Sequence, residues 1–306
     1  MRLVSGRPVR RSFFKLLTRL FFGRANAHAQ DWLPGLVLDI PSEKGESGSI
    51  CYRGLVVANL LHPAVLQAES KSSIYIVGSG PSIKDNHLAL AESGTCLLLN
   101  GAISLIGDAV SLPLAVAIED ERFVWRHFDL MREKIALGTI CLFSTSVIRA
   151  LCEIDKTWLH GRSIILINDV RKPYRLSRRS NADIADFKFA CLSCDGSAGI
   201  SIEPALGVFQ GGSVVITALQ FAIYCKPEEI GFFGIDISNA AEPRFYEKAG
   251  NVAMSGLVEG QKRILDHIVL AKTVCREENI RLSNFSKISA LRQCGLVYDD
   301  RFSRRD

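Results

Sequence analysis

The stretch YIVGSGPSIKD, residues 75–85, decides the fold class of this sequence. It begins as an apolar run of the kind that forms a buried strand, and it continues into a glycine pair, Gly78 and Gly80. Glycines between a strand and a helix allow the tight turn of nucleotide-binding α/β folds, where the helix N-terminus points its N–H groups at a phosphate. Ile83 stands where the G-x-G-x-x-G dinucleotide pattern has its third glycine. The turn therefore predicts a nucleotide site in an α/β fold, but not the usual site for NAD or FAD.

Similar strand patterns recur along the rest of the chain. They are continuous apolar runs, with helix-length segments between most of them, which is typical of a parallel sheet covered on both faces. The runs cover 73–78, 95–100, 112–118, 139–144, 163–168, 228–236 and 280–286, and helices are predicted at 211–225 and 260–279. We predict one Rossmann-like α/β domain over 72–300, built on a mostly parallel sheet.

Three other segments complete the predicted organisation. Residues 1–30 are expected to form a basic amphipathic arm. Residues 31–71 are expected to be a linker with a lead-in helix, in the apolar stretch around 54–67. Within the domain, 171–198 is expected to be a basic insert or lid, because RKPYRLSRRSN (171–181) carries six basic or amide side chains and no acid.

The arm has the composition of a membrane-surface helix. Residues 1–30 contain six arginines, one lysine and no acid. Arg11, Lys15 and Arg19 are spaced to share one helical face, and phenylalanines and leucines fill most of the rest. Such helices lie on anionic lipid with their apolar side in the headgroup boundary. We expect peripheral attachment to the anionic inner membrane, with a twin-arginine export signal and a disordered basic tail as the alternatives.

The bulk composition narrows the class of protein. The chain has 306 residues, 48% of them apolar, and no apolar run reaches the ~18 residues of a spanning helix. A net charge of +5 is too mild to indicate nucleic acid, and it favours anionic small molecules or an anionic surface. Nine scattered cysteines indicate a reducing cytoplasm rather than a disulfide framework. Cys191 and Cys194 form a lone C-x-x-C pair without a second ligand pair, so we expect no metal site.

The position after the second predicted strand indicates what kind of nucleotide is held. Dinucleotide folds place an acid there, about twenty residues beyond the glycine turn, to hold ribose hydroxyls. Here the residue is Asn100, whose amide can donate to a phosphate or a glycosidic oxygen as well as accept. Pro81 suits the first turn of the following helix because no N–H is needed there. A plain turn in an unrelated sheet remains the alternative.

Four motifs follow one another along the chain. They are GSGPSI (78–83), LLLNGAISLI (97–106), AIEDERF (117–123), and the long stretch SIEPALGVFQGGSVVITALQFAIYCKPEEIGFFGIDIS (201–238) with RFYEKAGN (244–251). In this order they resemble the bacterial lipopolysaccharide-core transferases that add a side-branch Kdo. The resemblance covers roughly 72–290 and is thin between 125 and 200. The G-x-G-P-S and G-I-D elements are also distantly similar to CMP-sialic acid transferases and to a pterin-pyrophosphokinase-like family.

The resemblance implies a function. It implies transfer of Kdo, or a related ulosonic acid, from CMP-Kdo to an inner-core lipopolysaccharide or lipid A acceptor, by inverting displacement and without a cofactor. One alternative is an accessory protein that binds nucleotide or lipopolysaccharide without turnover, and another is a pterin-pyrophosphokinase-like enzyme. An oxidoreductase is a further alternative, against which Asn100 argues.

The resemblance and the chemistry together assign roles to site residues. Asp120 is the candidate general base on the acceptor hydroxyl, Arg122 would pair with the Kdo carboxylate, and Asp236 ends its own strand at the same sheet edge. A helix cap is the alternative role for Asp120, and a structural loop acid is the alternative for Asp236. His267 is expected to be a partly buried helix residue rather than the base. The donor would be bound by helix N-termini at 80–83 and 211–214 and by Gly78, Ser79, Gly80, Pro81, Ser82, Asn100, Gly212, Ser213, Arg244 and Tyr246.

Overall fold

The computed structural model describes residues 9–23, 33–236 and 257–304. Ten of its strands form one sheet, and two short ones form a hairpin beside it. In chain order they are β1 (Leu36–Asp39), β2 (Ser47–Tyr52), β3 (Leu55–Leu61), β4 (Ser73–Val77), β5 (Cys96–Leu99), β6 (Ala115–Ile118), β7 (Ile140–Ser144), β8 (Ser163–Ile167), β9 (Ala190–Leu192), β10 (Gly199–Ser201), β11 (Glu229–Phe233) and β12 (Arg281–Asn284).

The large sheet has the order β1-β2-β3-β8-β7-β6-β5-β4-β11-β12. Every neighbouring pair from β3 to β12 is parallel. The seven predicted strands are all present, each within a few residues of its predicted bounds. The prediction of a Rossmann-like α/β domain on a mostly parallel sheet is therefore confirmed.

Helices cover both faces of the sheet. They are α1 (Val9–Phe22), α2 (Ala64–Glu69), α3 (Glu121–Lys134), α4 (Thr145–Asp155), α5 (Asn181–Ala185), α6 (Val214–Tyr224) and α7 (Leu257–Glu277). Strand side chains alternate between two cores: Tyr75 joins the core under α3 and α4, whereas Ile76 joins the core under α6 and α7. Burial on both faces explains why these strands are continuous apolar runs in the sequence.

The order of the strands creates a topological switch point. From β4 to β8 the chain steps in one direction along the sheet, and it then returns to place β11 on the other side of β4. The carboxyl ends of β4 and β11 are therefore followed by connections that leave in opposite directions. Open α/β sheets bind their ligands in the crevice at such a point.

The prediction for residues 31–71 is wrong. Leu36 to Leu61 form an antiparallel meander of β1, β2 and β3, and β3 joins the main sheet at Leu60, opposite Ile164 of β8. Only Ala64–Glu69 of the predicted helical stretch is helical. Strand β3 lies near one end of the sheet, where Leu55 and Val56 are exposed while Leu60 is fully buried. The burial of β3 is therefore neither continuous, as in a central strand, nor a regular alternation of buried and exposed residues, so the sequence pattern did not indicate a strand.

The basic stretch lies between β8 and α6. It contains α5 and the hairpin of β9 with β10, around a small cluster of Val170, Ile184 and Phe209. Arg171 contacts Asn181 and donates to the carbonyl of Gly196 at 3.3 Å. The insert is thus tied together by its own arginine, and a role as a lid stays a prediction.

The N-terminal helix is docked on the body through an ion pair. Arg11 is 6% exposed, and its Nε donates to Oε2 of Glu121, in the first turn of α3, at 3.0 Å. The predicted basic face shared by Arg11 and Arg19 is therefore wrong, since Arg11 points inward and Arg19 is exposed. A buried carboxylate needs a cationic partner, which explains the inward arginine. The apolar side chains of Phe13, Leu16, Leu20 and Phe21 are exposed.

No helix within the described ranges is long and apolar enough to cross a membrane.

Candidate functional site

Polar residues gather at the carboxyl edge of the sheet, on both sides of the switch point. Residues 78–82 follow β4, and 234–236 follow β11. Asn100 follows β5, and Glu119 and Asp120 follow β6. The N-terminus of α6, with Gly212 and Ser213, reaches the same edge, because Thr217 in its first turns bonds Glu119. The described site residues predicted from sequence are thus at one edge, whereas Arg244 and Tyr246 lie outside the described residues.

The two glycines after β4 allow the end of β11 to come close. The Gly78 N–H donates to the carbonyl of Phe233 at 2.8 Å, and the Gly80 N–H donates to that of Gly234 at 2.9 Å. A Cβ on Gly78 would lie 2.5 Å from the Gly234 oxygen, and one on Gly80 would lie 2.5 Å from Oδ2 of Asp236. Glycine is required at both positions because another strand end approaches the turn.

The turn binds a carboxylate of its own chain. Asp236 is 7% exposed and accepts from the Ser82 N–H at 2.7 Å and from the Ser82 hydroxyl at 2.5 Å. The segment after Gly80 is a five-residue 3-10 helix, Pro81–Asp85, rather than a full α-helix. The Ser82 N–H thus already donates to an anion of the chain itself, and the donor-binding role predicted for 80–83 stays a prediction. The contacts of Asp236 are those of the structural loop acid that was its alternative, and its catalytic role stays a prediction.

Asn100 has an unusual backbone and an unsatisfied side chain. Its φ is +46°, in the left-handed region that asparagine tolerates better than most residues. Its side-chain Oδ1 is buried and accepts no hydrogen bond from the described residues. A buried acceptor without a donor costs about 1–3 kcal/mol. The position is therefore suited to accept a hydrogen bond from a ligand.

Asp120 and Arg122 form a pair at the start of α3. Oδ1 of Asp120 caps the helix by accepting from the Arg122 N–H at 2.8 Å, and Oδ2 accepts from the Arg122 Nε at 2.6 Å. The hydrogen bond to Asp120 raises the pKa of Arg122. The side chains are 37% and 45% exposed, so a ligand can reach both. The structure thus shows the cap that was the alternative role of Asp120, and the role as base stays a prediction.

Glu119 was missed as a site residue in the sequence reasoning. It is the first residue after β6, and its Oε2 accepts from the hydroxyl of Thr217 at 2.9 Å. Burial raises the pKa of the Glu119 carboxyl to about 7, opposed by the bond from Thr217 and reinforced by the carboxylates of Asp169 and Asp120. The sequence signal that could have found it was its position directly at the strand end, one residue before Asp120 in AIEDERF (117–123).

The N-terminus of α6 lies beside a guanidinium. Ser213 caps the helix by accepting from the Val215 N–H at 3.3 Å, and Gly212 has a φ of +88°. The Arg263 guanidinium of α7 packs directly on Gly212, where a Cβ would overlap it. His267, one turn further along α7, is 4% exposed and contacts the Arg263 carbonyl at 2.7 Å through Nδ1. Burial lowers the pKa of His267, consistent with its expected place inside a helix interface.

Among the residues that the structure describes, no group of three or more His, Cys, Asp or Glu side chains is arranged to hold a metal ion.

Comparisons with known proteins find similarity to solved structures but not to known sequences. No protein-family model matches the sequence, and no curated protein matches it. The chain is similar to a solved structure of the sialyltransferase CstII from Campylobacter jejuni with the substrate analogue CMP-3FNeuAc, at 14% identity and a TM-score of 0.40, covering 76% of this chain and 89% of that one. A second CstII structure, with cytidine-5'-monophosphate, is 13% identical with a TM-score of 0.33, covering 76% and 90%.

Proposed function

We propose that this protein is a glycosyltransferase that moves Kdo, or a related ulosonic acid, from its CMP-sugar to an inner-core lipopolysaccharide acceptor. One observation carries the proposal. The motifs that resemble the Kdo transferases are separated by up to about 150 residues, yet they end β4, β5, β6 and β11 at a single sheet edge. The Rossmann-like fold places its ligand crevice at that same edge.

The donor phosphate is assigned to the start of α6 rather than to the turn after β4. The turn is occupied by Asp236, whereas α6 has eleven residues, is capped by Ser213 and lies under the Arg263 guanidinium. A helix N-terminus with a neighbouring cation favours an anion. Asn100 would accept from the nucleotide at its unsatisfied oxygen. Arg244 and Tyr246 would then clamp the leaving phosphate.

The acceptor is assigned to the side of the crevice nearest the basic insert. The basic insert begins just beyond the end of β8, and the positive charges of Arg171 and Arg178 act on Asp169 at the sheet edge. Inner-core acceptors carry carboxylates and phosphates, which arginine recognises well. Arg122, in reach of solvent, would bind the Kdo carboxylate. Displacement at the anomeric carbon would invert its configuration and release CMP.

Attachment to the membrane is assigned to α1. Its apolar side chains at Phe13, Leu16, Leu20 and Phe21 are exposed, while Arg11 fixes the helix to the body. An exposed apolar face on a basic helix favours the surface of anionic lipid. Such attachment would bring the crevice near a lipid-linked acceptor, on the cytoplasmic face of the inner membrane.

The test is a transfer assay with the full-length protein. CMP-Kdo and inner-core lipopolysaccharide are supplied, and CMP release and the mass of the acceptor are followed. We expect CMP release that depends on acceptor, together with an acceptor heavier by one ulosonic acid. Matched reactions contain UDP-sugars or lack acceptor. Binding of CMP without transfer from any CMP-ulosonic acid would overturn the proposal in favour of the accessory protein.

A further inference from the structure

Glu119 stands at the middle of the sheet edge where the acceptor would bind. It follows β6, which has four strands of the large sheet on the side of β5 and five on the side of β7. Its backbone carbonyl accepts from the Ser144 hydroxyl at 2.6 Å, which ties the ends of β6 and β7 together. The residue is half-buried rather than sealed inside. Its backbone position is therefore fixed by the sheet, and part of the residue is open to solvent.

The carboxyl of Glu119 has few hydrogen-bond partners. Within the described residues, its side chain makes one hydrogen bond, from Thr217 to Oε2. The charged groups that act on it are two carboxylates, Asp120 beside it and Asp169 beyond β8. Arg171 and Arg178 act on Asp169. A half-buried carboxyl between like charges takes up a proton more readily than a solvated one.

Its neighbour Asp120 is bonded differently. Both oxygens of Asp120 accept from Arg122, one from the backbone N–H and one from the guanidinium. Bonds to the charged form favour that form, so such a carboxylate is a weak base. Breaking them would also remove the cap of α3. Two adjacent acids at one strand end thus have opposite environments.

We propose that Glu119 is the group that takes the proton from the acceptor hydroxyl during transfer. This inference rests on the proposed function. The acceptor oxygen forms a bond to the anomeric carbon while the bond from that carbon to the CMP phosphate oxygen breaks. The electron pair leaves with CMP, and the acceptor proton passes to the Glu119 carboxylate. Thr217 holds the carboxylate through Oε2 and is a positioning residue.

The test compares Glu119→Gln with the parent protein over a range of pH. A general base contributes typically 10²–10⁴-fold. We expect kcat for transfer to fall by about that factor, while CMP affinity stays within about twofold. The parent rate should rise with pH through about 7, since burial raises the pKa of Glu119 to about 7, and the residual rate of the variant should lack this rise. Glu133→Gln, on an exposed residue of α3, is the matched control and should keep the parent rate and profile.

Two further variants separate the possible outcomes. Thr217→Val removes a hydrogen bond that lowers the pKa of Glu119, so the rise in rate should move to higher pH. Asp120→Asn should reduce kcat less than Glu119→Gln does. Two results would overturn the role of Glu119 and leave the proposed function standing. One is full activity in Glu119→Gln. The other is a greater loss of kcat in Asp120→Asn than in Glu119→Gln, with the rise in rate near pH 7 still present in Glu119→Gln. A parent protein that transfers no CMP-activated donor would overturn both.

Discussion

Replacing Asp236 with alanine should destabilise the protein by about 2–4 kcal/mol. The side chain accepts two hydrogen bonds, from the N–H and the hydroxyl of Ser82, and is 7% exposed. Each hydrogen bond to a charged group contributes about 1.5–3 kcal/mol to the free energy of unfolding. Both bonds come from Ser82, so their contributions are not independent and the total loss is smaller than their sum. The truncation also leaves the buried Ser82 N–H without its acceptor. The loss should therefore exceed that of a typical surface change several-fold.

Urea unfolding followed by circular dichroism measures this loss as a shift of the midpoint at constant slope. Asp85→Ala is the matched control, because Asp85 is an exposed acid in the same 3-10 helix, and it should change stability by less than about 0.5 kcal/mol. Ser82→Ala keeps the backbone bond and should lie between the two. A loss below about 0.5 kcal/mol in Asp236→Ala would refute the view that this turn binds an internal carboxylate.

Three other outcomes are expected. Gly80→Ala should destabilise the protein by more than about 2 kcal/mol in urea unfolding, because the new Cβ would lie 2.5 Å from Asp236 Oδ2. The control Gly260→Ala in α7, where a Cβ meets no atom nearer than 4.0 Å, should be neutral or stabilising, and equal effects of the two variants would count against the close approach. Arg11→Met should cost up to about 3–5 kcal/mol at the ion pair with Glu121, and the double change to methionine should recover much of it in the same assay; no recovery would contradict the pairing. Removal of residues 1–23 should abolish sedimentation with anionic vesicles, and the parent should detach in high salt; undiminished sedimentation would refute attachment through α1.

The strands at the centre of the sheet could be predicted because their physics is local. Each of β4 to β8 is covered on both faces, so each is a short apolar run that helix-length or turn segments separate. The meander of β1 to β3 could not be predicted in the same way. Its strands mix exposed and buried apolar residues, and the strand that joins the main sheet, β3, pairs with a residue of β8 about 100 positions away.

The contents of the site were harder to predict than its location. The glycine turn marked the sheet edge where the polar residues gather, but the anion that Ser82 binds is Asp236, 154 positions further along the chain. A local pattern cannot distinguish a turn that binds a ligand from one that binds a distant side chain, because both need glycine and a free N–H. Arg11 and Glu121 are similarly paired over 110 positions. Glu119 and Asp120 are adjacent acids with different surroundings, and those of Glu119 depend on Thr217 and Asp169, which come later in the chain.

Nucleotide selectivity tests the central claim most directly. Thermal unfolding is measured for the full-length protein with CMP, UMP, AMP or NAD at equal concentration. A ligand at 100 times its dissociation constant stabilises the folded state by about 2.7 kcal/mol, which in a chain of this size raises the Tm by several degrees. We expect CMP to raise the Tm in this way and NAD to leave it unchanged. Equal stabilisation by CMP and NAD, or by none of the four nucleotides, would contradict it.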